Sequence, residues 1–147
     1  MLFRSLPIGK VVIRIHEKDS LFETLARIAA ARISGCRVII SIPPKLENRV
    51  TAFLGETWGQ RIVGDSGILR QTDPLLTEMI PAIDRIRYAD ADRVPHSVYE
   101  KAAELGFYIA RNPVMMEGRI ELLHYFREQC ISHNYHRYGN LGERAML

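Results

Sequence analysis

The strongest constraint on the fold is the alternation of short β-branched segments with amphipathic helical segments along the chain. The β-branched segments predict strands over residues 10–15, 37–42, 61–63, 85–88 and 107–110. Strands that alternate with helices favour an α/β fold with a largely parallel sheet. We therefore expect about five short strands with helices on both faces of the sheet.

The helices predicted between these strands carry recognisable end signals. Ser20 and Glu23 form a capping-box pattern before the first helix, and Gly35 is suited to end it. Further helices are predicted over 46–58, from Asp73 and Pro74 onward, after Ser97 as a cap, and over 116–131. The carboxyl ends of the strands, where ligands bind in such sheets, are then expected at 16–20, 42–45, 64–67 and 89–94.

Composition and charge narrow the classes of function. The chain has 147 residues, of which 47% are hydrophobic and 25% charged, as in an ordinary globular domain. Its net charge of +3 is interspersed, so no nucleic-acid-binding arm is indicated. No apolar segment reaches the ~18–20 residues of a membrane span, and no signal peptide is seen, so a cytoplasmic location is expected. Residues 1–132 are expected to form the α/β domain, and residues 133–147 an extended tail or flap.

Three sequence features give only weak evidence of a chemical function. His16 follows the first strand and could transfer a proton, but a hydrogen-bonded turn is favoured because no second catalytic group can be located. The Gly-Asp-Ser-Gly sequence over 64–67 lacks the spacing of phosphate-binding loops and predicts a plain turn. Cys36 and Cys130 match no zinc or redox pattern, so buried, unreactive thiols are expected.

The end of the chain is rich in histidines and aromatic residues. His124, His133 and His136 lack the partners and the spacing of a metal site, so hydrogen bonding or an interface is favoured. A disordered tail would be poor in aromatics, so these side chains are expected to pack against this chain or another one. The predicted interface contacts are Tyr135, His136, Arg137 and Tyr138, with Gly139 at the turn.

Residues 11–44 hold an alanine-rich helix that ends at a glycine and leads into a β-branched strand, and RIRYADADRVPHSVYEKAAELG (85–106) holds a later strand, loop and helix. These two segments resemble the first strand–helix–strand unit and a later strand–loop–helix unit of the cofactor domain in the aldehyde dehydrogenase superfamily. The segments FYIARNPVMMEGRIELLHYFREQ (107–129) and YHRYGNLGER (135–144) give a more specific match, and the likeness extends from about Leu6 to Arg144. They resemble most closely one branch, the degenerate C-terminal aldehyde-dehydrogenase-like domain of long proline utilization A enzymes.

The resemblance implies a Rossmann-like domain without catalytic function. Active members have a lysine and a glutamate for the adenosine ribose where this chain has Ser41, Ile42, Pro43 and Pro44. Acidic residues in the loop over 89–94 would repel a pyrophosphate. The catalytic domain would have to lie within residues 111–117, where there is no room for it, and neither cysteine matches the family's nucleophile.

The resemblance also implies a place in a larger enzyme. The parent would join an FAD-dependent proline dehydrogenase to an NAD-dependent 1-pyrroline-5-carboxylate (glutamate-semialdehyde) dehydrogenase. This module, with no cofactor of its own, would act in packing, in closing an internal cavity or in oligomerisation. Its tail resembles the family's oligomerisation flap and would contact the parent's domains or another copy of itself.

The residues by themselves are also compatible with two other functions. One is a nucleotide-binding (NAD-type) α/β protein that uses the helix N-terminus near Ser20 as an anion site. The other is a small enzyme dependent on Cys36 and His16.

Overall fold

The structure is a computed structural model that describes the backbone of residues 2–131 and the side chains of residues 4–129. The strands are β1 Leu2–Pro7, β2 Lys10–Arg14, β3 Arg37–Ile42, β4 Gly67–Arg70, β5 Arg85–Arg87, β6 Ile109–Ala110 and β7 Phe126–Ile131. The helices are α1 Leu21–Ile33, α2 Arg49–Gly55, α3 Thr57–Val63, α4 Asp73–Glu78, α5 His96–Glu104 and α6 Gly118–Leu122. Short 3-10 turns lie at Ile80–Ala82, Ala91–Arg93 and Leu123–Tyr125.

Five strands form a parallel sheet in the order β4-β3-β2-β5-β6. Its register places Val12 of β2 beside Ile39 of β3 on one side and Ile86 of β5 on the other. From β2 the chain first adds β3 and β4 on one side, and it then crosses back to add β5 and β6 on the other side of β2. This order is Rossmann-like, and it puts a topological switch point between β2 and β5. The predicted α/β fold with a parallel sheet is confirmed.

Two hydrophobic cores lie on opposite faces of this sheet. Successive residues of β2 point to opposite sides, so Val11 and Ile13 pack with α1, α2 and α3, whereas Val12 packs with α4 and α5. All three of these β2 side chains have no exposed surface. The predicted helices on both faces are therefore present.

The first helix begins and ends as its sequence predicts. The Ser20 hydroxyl accepts a hydrogen bond from the N–H of Glu23, and the Glu23 carboxylate accepts one from the N–H of Ser20. Gly35 follows the helix with a φ of 84°, a conformation that favours glycine. The Ser20–Glu23 capping box is therefore confirmed.

The segment between β3 and β4 differs from its prediction in two ways. The helix expected over 46–58 is two helices, α2 and α3, which meet at Glu56. Gly59 permits this junction because a Cβ there would collide with the carbonyl oxygen of Phe53. The strand expected over 61–63 is wrong, since these residues form the last turn of α3, and the strand follows at Gly67–Arg70.

The largest error concerns the helix predicted over 116–131. Only Gly118–Leu122 is α-helical, and Phe126–Ile131 is a strand that pairs antiparallel with β1, from Pro7↔Phe126 to Leu2↔Ile131. Strand β1 was not predicted at all. These two strands form a separate two-stranded sheet, here called the ribbon (Leu2–Pro7 and Phe126–Ile131).

Smaller differences concern the helix caps. Helix α4 begins at Asp73 with Pro74 in its first turn, as predicted, but the cap position is Thr72. Helix α5 begins at His96 after Pro95, so Ser97 lies within the first turn and does not cap it.

The tail over residues 133–147, with the predicted contacts Tyr135, His136, Arg137, Tyr138 and Gly139, lies outside the described residues. The division at residue 132 lies there too. Within residues 2–131, none of the helices combines the length and the hydropathy that a membrane crossing needs.

Candidate functional site

The switch point between β2 and β5 is filled by a chain of ion pairs. Arg93, in the loop after β5, donates to the carboxylates of Asp19 at 2.7 Å and of Glu23 at 2.8 Å. Asp19 also accepts from Arg27 of α1 at 2.6 Å. The side chains of Asp19 and Arg27 are fully buried, and that of Arg93 is 12% exposed. Protein side chains therefore occupy the crevice in which such folds hold a dinucleotide.

The N-terminus of α1 already holds an anion. The Glu23 carboxylate accepts from the Ser20 N–H at 2.9 Å, at the end of the helix where a phosphate would bind. Desolvation works to raise the pKa of Glu23, but hydrogen bonds from Arg93 and Ser20 outweigh it and hold the pKa below its ordinary value. The same bond to Glu23 is the main cause that raises the pKa of Arg93. The anion site predicted near Ser20 is thus satisfied internally.

Arg27 ties the two central strands together from beneath the switch point. Its guanidinium donates to the carbonyl oxygens of Arg14, at the end of β2, and of Arg87, at the end of β5, at 2.9 and 3.3 Å. It also donates to the carbonyl of Glu23 within α1 at 2.9 Å. One planar cation therefore satisfies three backbone acceptors and one carboxylate at this edge.

A second polar cluster lies at the same edge on the α4 face. Arg14 donates at 2.8 Å to the Ser41 hydroxyl and at 2.9 Å to the Asp73 carboxylate. Gln71 also donates to Ser41, at 2.8 Å. The Tyr88 hydroxyl nearby is buried without a hydrogen-bond partner among the described residues, and burial raises its pKa. The Ser41 hydroxyl is therefore engaged inside the protein.

An open groove lies outside the carboxyl ends of β2, β3 and β4. Its volume is about 590 Å³, and its lining residues are His16, Glu17, Pro43, Pro44, Lys45, Leu46 and Thr72. The Nδ1 atom of His16 accepts from the N–H of Lys18 at 3.1 Å, and the His16 N–H donates to Asp19 at 3.0 Å. His16 thus takes part in a hydrogen-bonded turn, as the turn interpretation expects.

The other sequence candidates lie away from this edge. Residues 64–66 lead into β4 and Gly67 is its first residue, so the expected position of 64–67 at a carboxyl strand end is wrong, and residues 71–72 follow β4 instead. Cys36 lies just before β3, and burial raises the pKa of its half-buried thiol, which keeps it protonated. Cys130 belongs to β7 and not to a helix, with its backbone opposite Phe3.

The structure brings together no metal-binding set in the part of the chain that it describes. No group of three or more His, Cys, Asp or Glu side chains suits a metal ion there. Burial is the main cause that lowers the pKa of half-buried His124, and the charge of Arg87 acts in the same direction. His133 and His136 lie outside the described residues.

A third buried cluster fixes the base of the ribbon. Arg87 of β5 makes a two-bond ion pair with Glu121 of α6, at 3.0 and 2.7 Å, and Tyr125 donates to the same carboxylate at 2.7 Å. The Ile8 N–H bonds to the Tyr125 carbonyl at 2.9 Å, and Arg85 donates to the His124 carbonyl at 2.8 Å. Both strands of the ribbon therefore leave the domain from anchored positions.

Sequence reasoning did not find the residues of these clusters. The sequence does give a hint that Arg27 is buried, since it is a charged residue on the same helix face as Ile28 and Ala31, which point to the core. The hint for Glu121 is weaker and consists of its position between the apolar residues Ile120 and Leu122. Arg93 gave none, because a loop arginine is usually a solvated surface residue.

No protein-family model matches the chain, and no curated protein matches it. The fold, the sheet edge and the ribbon are therefore the grounds for a functional conclusion.

Proposed function

We propose that this chain is a non-catalytic, aldehyde-dehydrogenase-like module of a proline-catabolic bifunctional enzyme. It acts through packing, by closing an internal cavity or by joining subunits, and it holds no cofactor itself. The NAD- and FAD-dependent chemistry belongs to the partner, which carries the proline dehydrogenase and 1-pyrroline-5-carboxylate dehydrogenase activities. The ribbon is the observation that carries this proposal.

The ribbon is incomplete as a sheet. A two-stranded ribbon is marginally stable in water, and β1 and β7 pair only with each other among the described strands. In the part of the chain that the structure describes, each therefore keeps an outer edge whose N–H and C=O groups have no strand beside them. Arg4 and Ser5 on β1 and Arg127, Glu128 and Gln129 on β7 are exposed. Addition of a strand from another chain would satisfy this edge without a preformed pocket.

The filled switch point supports a role other than catalysis. A dinucleotide would have to displace Arg93 from Asp19 and Glu23, and Asp19 has no access to water that could compensate for the loss. Breaking a buried ion pair of this kind costs several kcal/mol. The Rossmann-like sheet is thus kept while its usual binding crevice serves internal packing.

The test is binding of the chain to the partner enzyme, measured by biolayer interferometry. Glu128→Pro removes a backbone N–H from the middle of β7, so we expect affinity to fall by about tenfold or more. Glu128→Ala, which keeps the backbone donor, is the matched control and should bind as the unmodified chain does. Replacing Tyr135 and Tyr138 with alanine should weaken association by several kcal/mol if they are interface hot spots.

Tyr108→Ala serves as the control for the double tyrosine variant, since it removes a tyrosine that is 54% exposed within the described domain. Equal affinity of the Glu128→Pro variant and the unmodified chain would refute strand addition. Unchanged association of the double tyrosine variant would remove the tail from the interface. Circular dichroism establishes that each variant is folded.

A nucleotide-binding protein is the second candidate, and the groove of about 590 Å³ at the carboxyl edge favours it. Isothermal titration with NAD⁺ to about millimolar concentration decides between the two, because a built site of this kind gives a dissociation constant near micromolar. The first proposal expects no saturating heat. Saturation that is lost when Lys45 is replaced by alanine would favour the second candidate.

A further inference from the structure

The outer face of α1 carries an apolar stripe that nothing in the described part of the chain covers. Phe22, Ala26, Ala29 and Ile33 follow one another at spacings of four, three and four residues, so they share one side of the helix. The opposite side holds the buried residues Thr24, Ile28 and Ala31. Phe22 is 48% exposed and Ile33 78% exposed. This helix is thus apolar on the side away from the sheet as well as on the side that faces it.

The stripe is the floor of a trough with two walls. Two depressions, of about 230 and 410 Å³, lie along the stripe and share Ala29 and Ile33. Met115, Met116 and Leu122 form one wall. Arg32, Arg61 and Ile62 form the other. We call this surface the α1 trough.

The side chains around the α1 trough are of the types enriched at interfaces. Met116 is 92% exposed on one wall, and Trp58 is 67% exposed beside the other, with the Arg61 guanidinium 4.8 Å from its ring centre. Exposed tryptophan, arginine and methionine together are typical of protein-binding surfaces. The small Ala26 and Ala29 between Phe22 and Ile33 leave room for another backbone to approach closely.

The unpaired charge at the trough is positive. Arg61 has no carboxylate within salt-bridge distance among the described residues, and Arg32 reaches only Asp65, at 3.9 Å. Glu121 is the one carboxylate that lines the trough in the described part of the chain, and it is fully engaged by Arg87 and Tyr125. The trough therefore combines an apolar floor with one rim arginine, Arg61, that has no carboxylate partner among the described residues.

We propose that the α1 trough binds an amphipathic α-helix of a partner polypeptide, with apolar residues at the same four-three-four spacing and carboxylates that lie against Arg61. A helix fits because the floor is a straight helical stripe between two walls. A second copy of this chain fits less well, because it would bring the same arginines and no free carboxylate from its own trough. This surface does not include the strands of the ribbon, and the proposal does not rest on the function proposed above.

The probes are two synthetic helical peptides of about 20 residues with leucines at this spacing. One carries its glutamates near the N-terminus, and the other carries them near the C-terminus. Trp58 is the only tryptophan of the chain, so its fluorescence reports binding at this wall directly. One peptide should bind with a dissociation constant of about 10 μM, and its lysine-for-glutamate counterpart about tenfold more weakly.

Variants locate the contact. Ala29→Glu on the floor and Arg61→Glu on the rim should each weaken the glutamate peptide about tenfold, and Arg61→Glu should improve binding of the lysine peptide. Ala103→Glu and Lys101→Glu, both at exposed positions of α5 on the other face of the sheet, are the matched controls.

Three results would overturn the proposal. One is no binding of either glutamate peptide, and another is equal binding of the lysine and glutamate peptides. The third is a dimer, seen by sedimentation equilibrium, that Ala29→Glu dissociates, since a second copy would then cover the α1 trough. Thermal denaturation of every variant shows whether a loss of binding is a loss of fold.

Discussion

Replacing Glu121 with alanine is expected to lower the free energy of unfolding by about 3–5 kcal/mol. Arg87 has no exposed surface, and the substitution leaves its guanidinium with only the carbonyls of Tyr88 and Asn112 as acceptors. Tyr125 loses its acceptor at the same time. The cost arises because a charge stays buried after its counter-charge has gone.

Urea denaturation at neutral pH measures this effect. Glu104→Ala is the control, because the Lys101–Glu104 pair on α5 is exposed and should contribute little. The double variant Arg87→Met, Glu121→Leu should recover part of the loss, since an apolar pair can replace a buried ion pair. A single variant no less stable than the control would show that the ion pair does not hold the base of the ribbon.

Replacing Arg27 with methionine is expected to have an effect of similar size, about 3–5 kcal/mol. Methionine keeps much of the volume but donates no hydrogen bond, so the carbonyls at the ends of β2 and β5 lose a buried donor. Among the described residues, Asp19 would then keep Arg93 alone as a cationic partner. The measurement is again the free energy of unfolding in urea.

Two further variants separate the charge of Arg27 from its shape. Arg27→Lys keeps the charge beside Asp19 but cannot serve four acceptors in one plane, so it should also be clearly destabilised. Arg32→Met, on the same helix but exposed, should cost less than about 1 kcal/mol. If the lysine variant is as stable as the unmodified chain, the charge alone accounts for the role of Arg27.

The sequence predicts best what is decided locally. The Ser20–Glu23 capping box and the glycine after α1 lie within one or two turns of the residues they fix, and both are found in the structure. The strand at Arg37–Ile42 is bounded by Gly35 and two prolines and is also found. The parallel order follows from such units because connections between parallel strands are right-handed.

The errors arise where distant residues decide the structure. Met116, Ile120, Leu123 and Phe126 have helical spacing, yet Met116 and Leu123 are largely exposed, so this periodicity marks no buried helix face. Phe126–Ile131 is a strand because β1, at the other end of the chain, pairs with it. At the switch point Arg93, in the loop after β5, pairs with Asp19, in the loop after β2, and no local sequence pattern predicts such a contact.

The pairing of β1 with β7 also sets an order of events during synthesis. β1 is made before every strand of the parallel sheet, but its partner β7 is made only after all of them. The ribbon therefore closes after the parallel sheet, since it needs both β7 and the Arg87–Glu121 anchor beneath it. Until then β1 is an unpaired strand next to a finished domain, open to pairing with β1 of another nascent chain. Chains that are translated at the same time from one messenger RNA are therefore the ones most at risk of pairing β1 with β1.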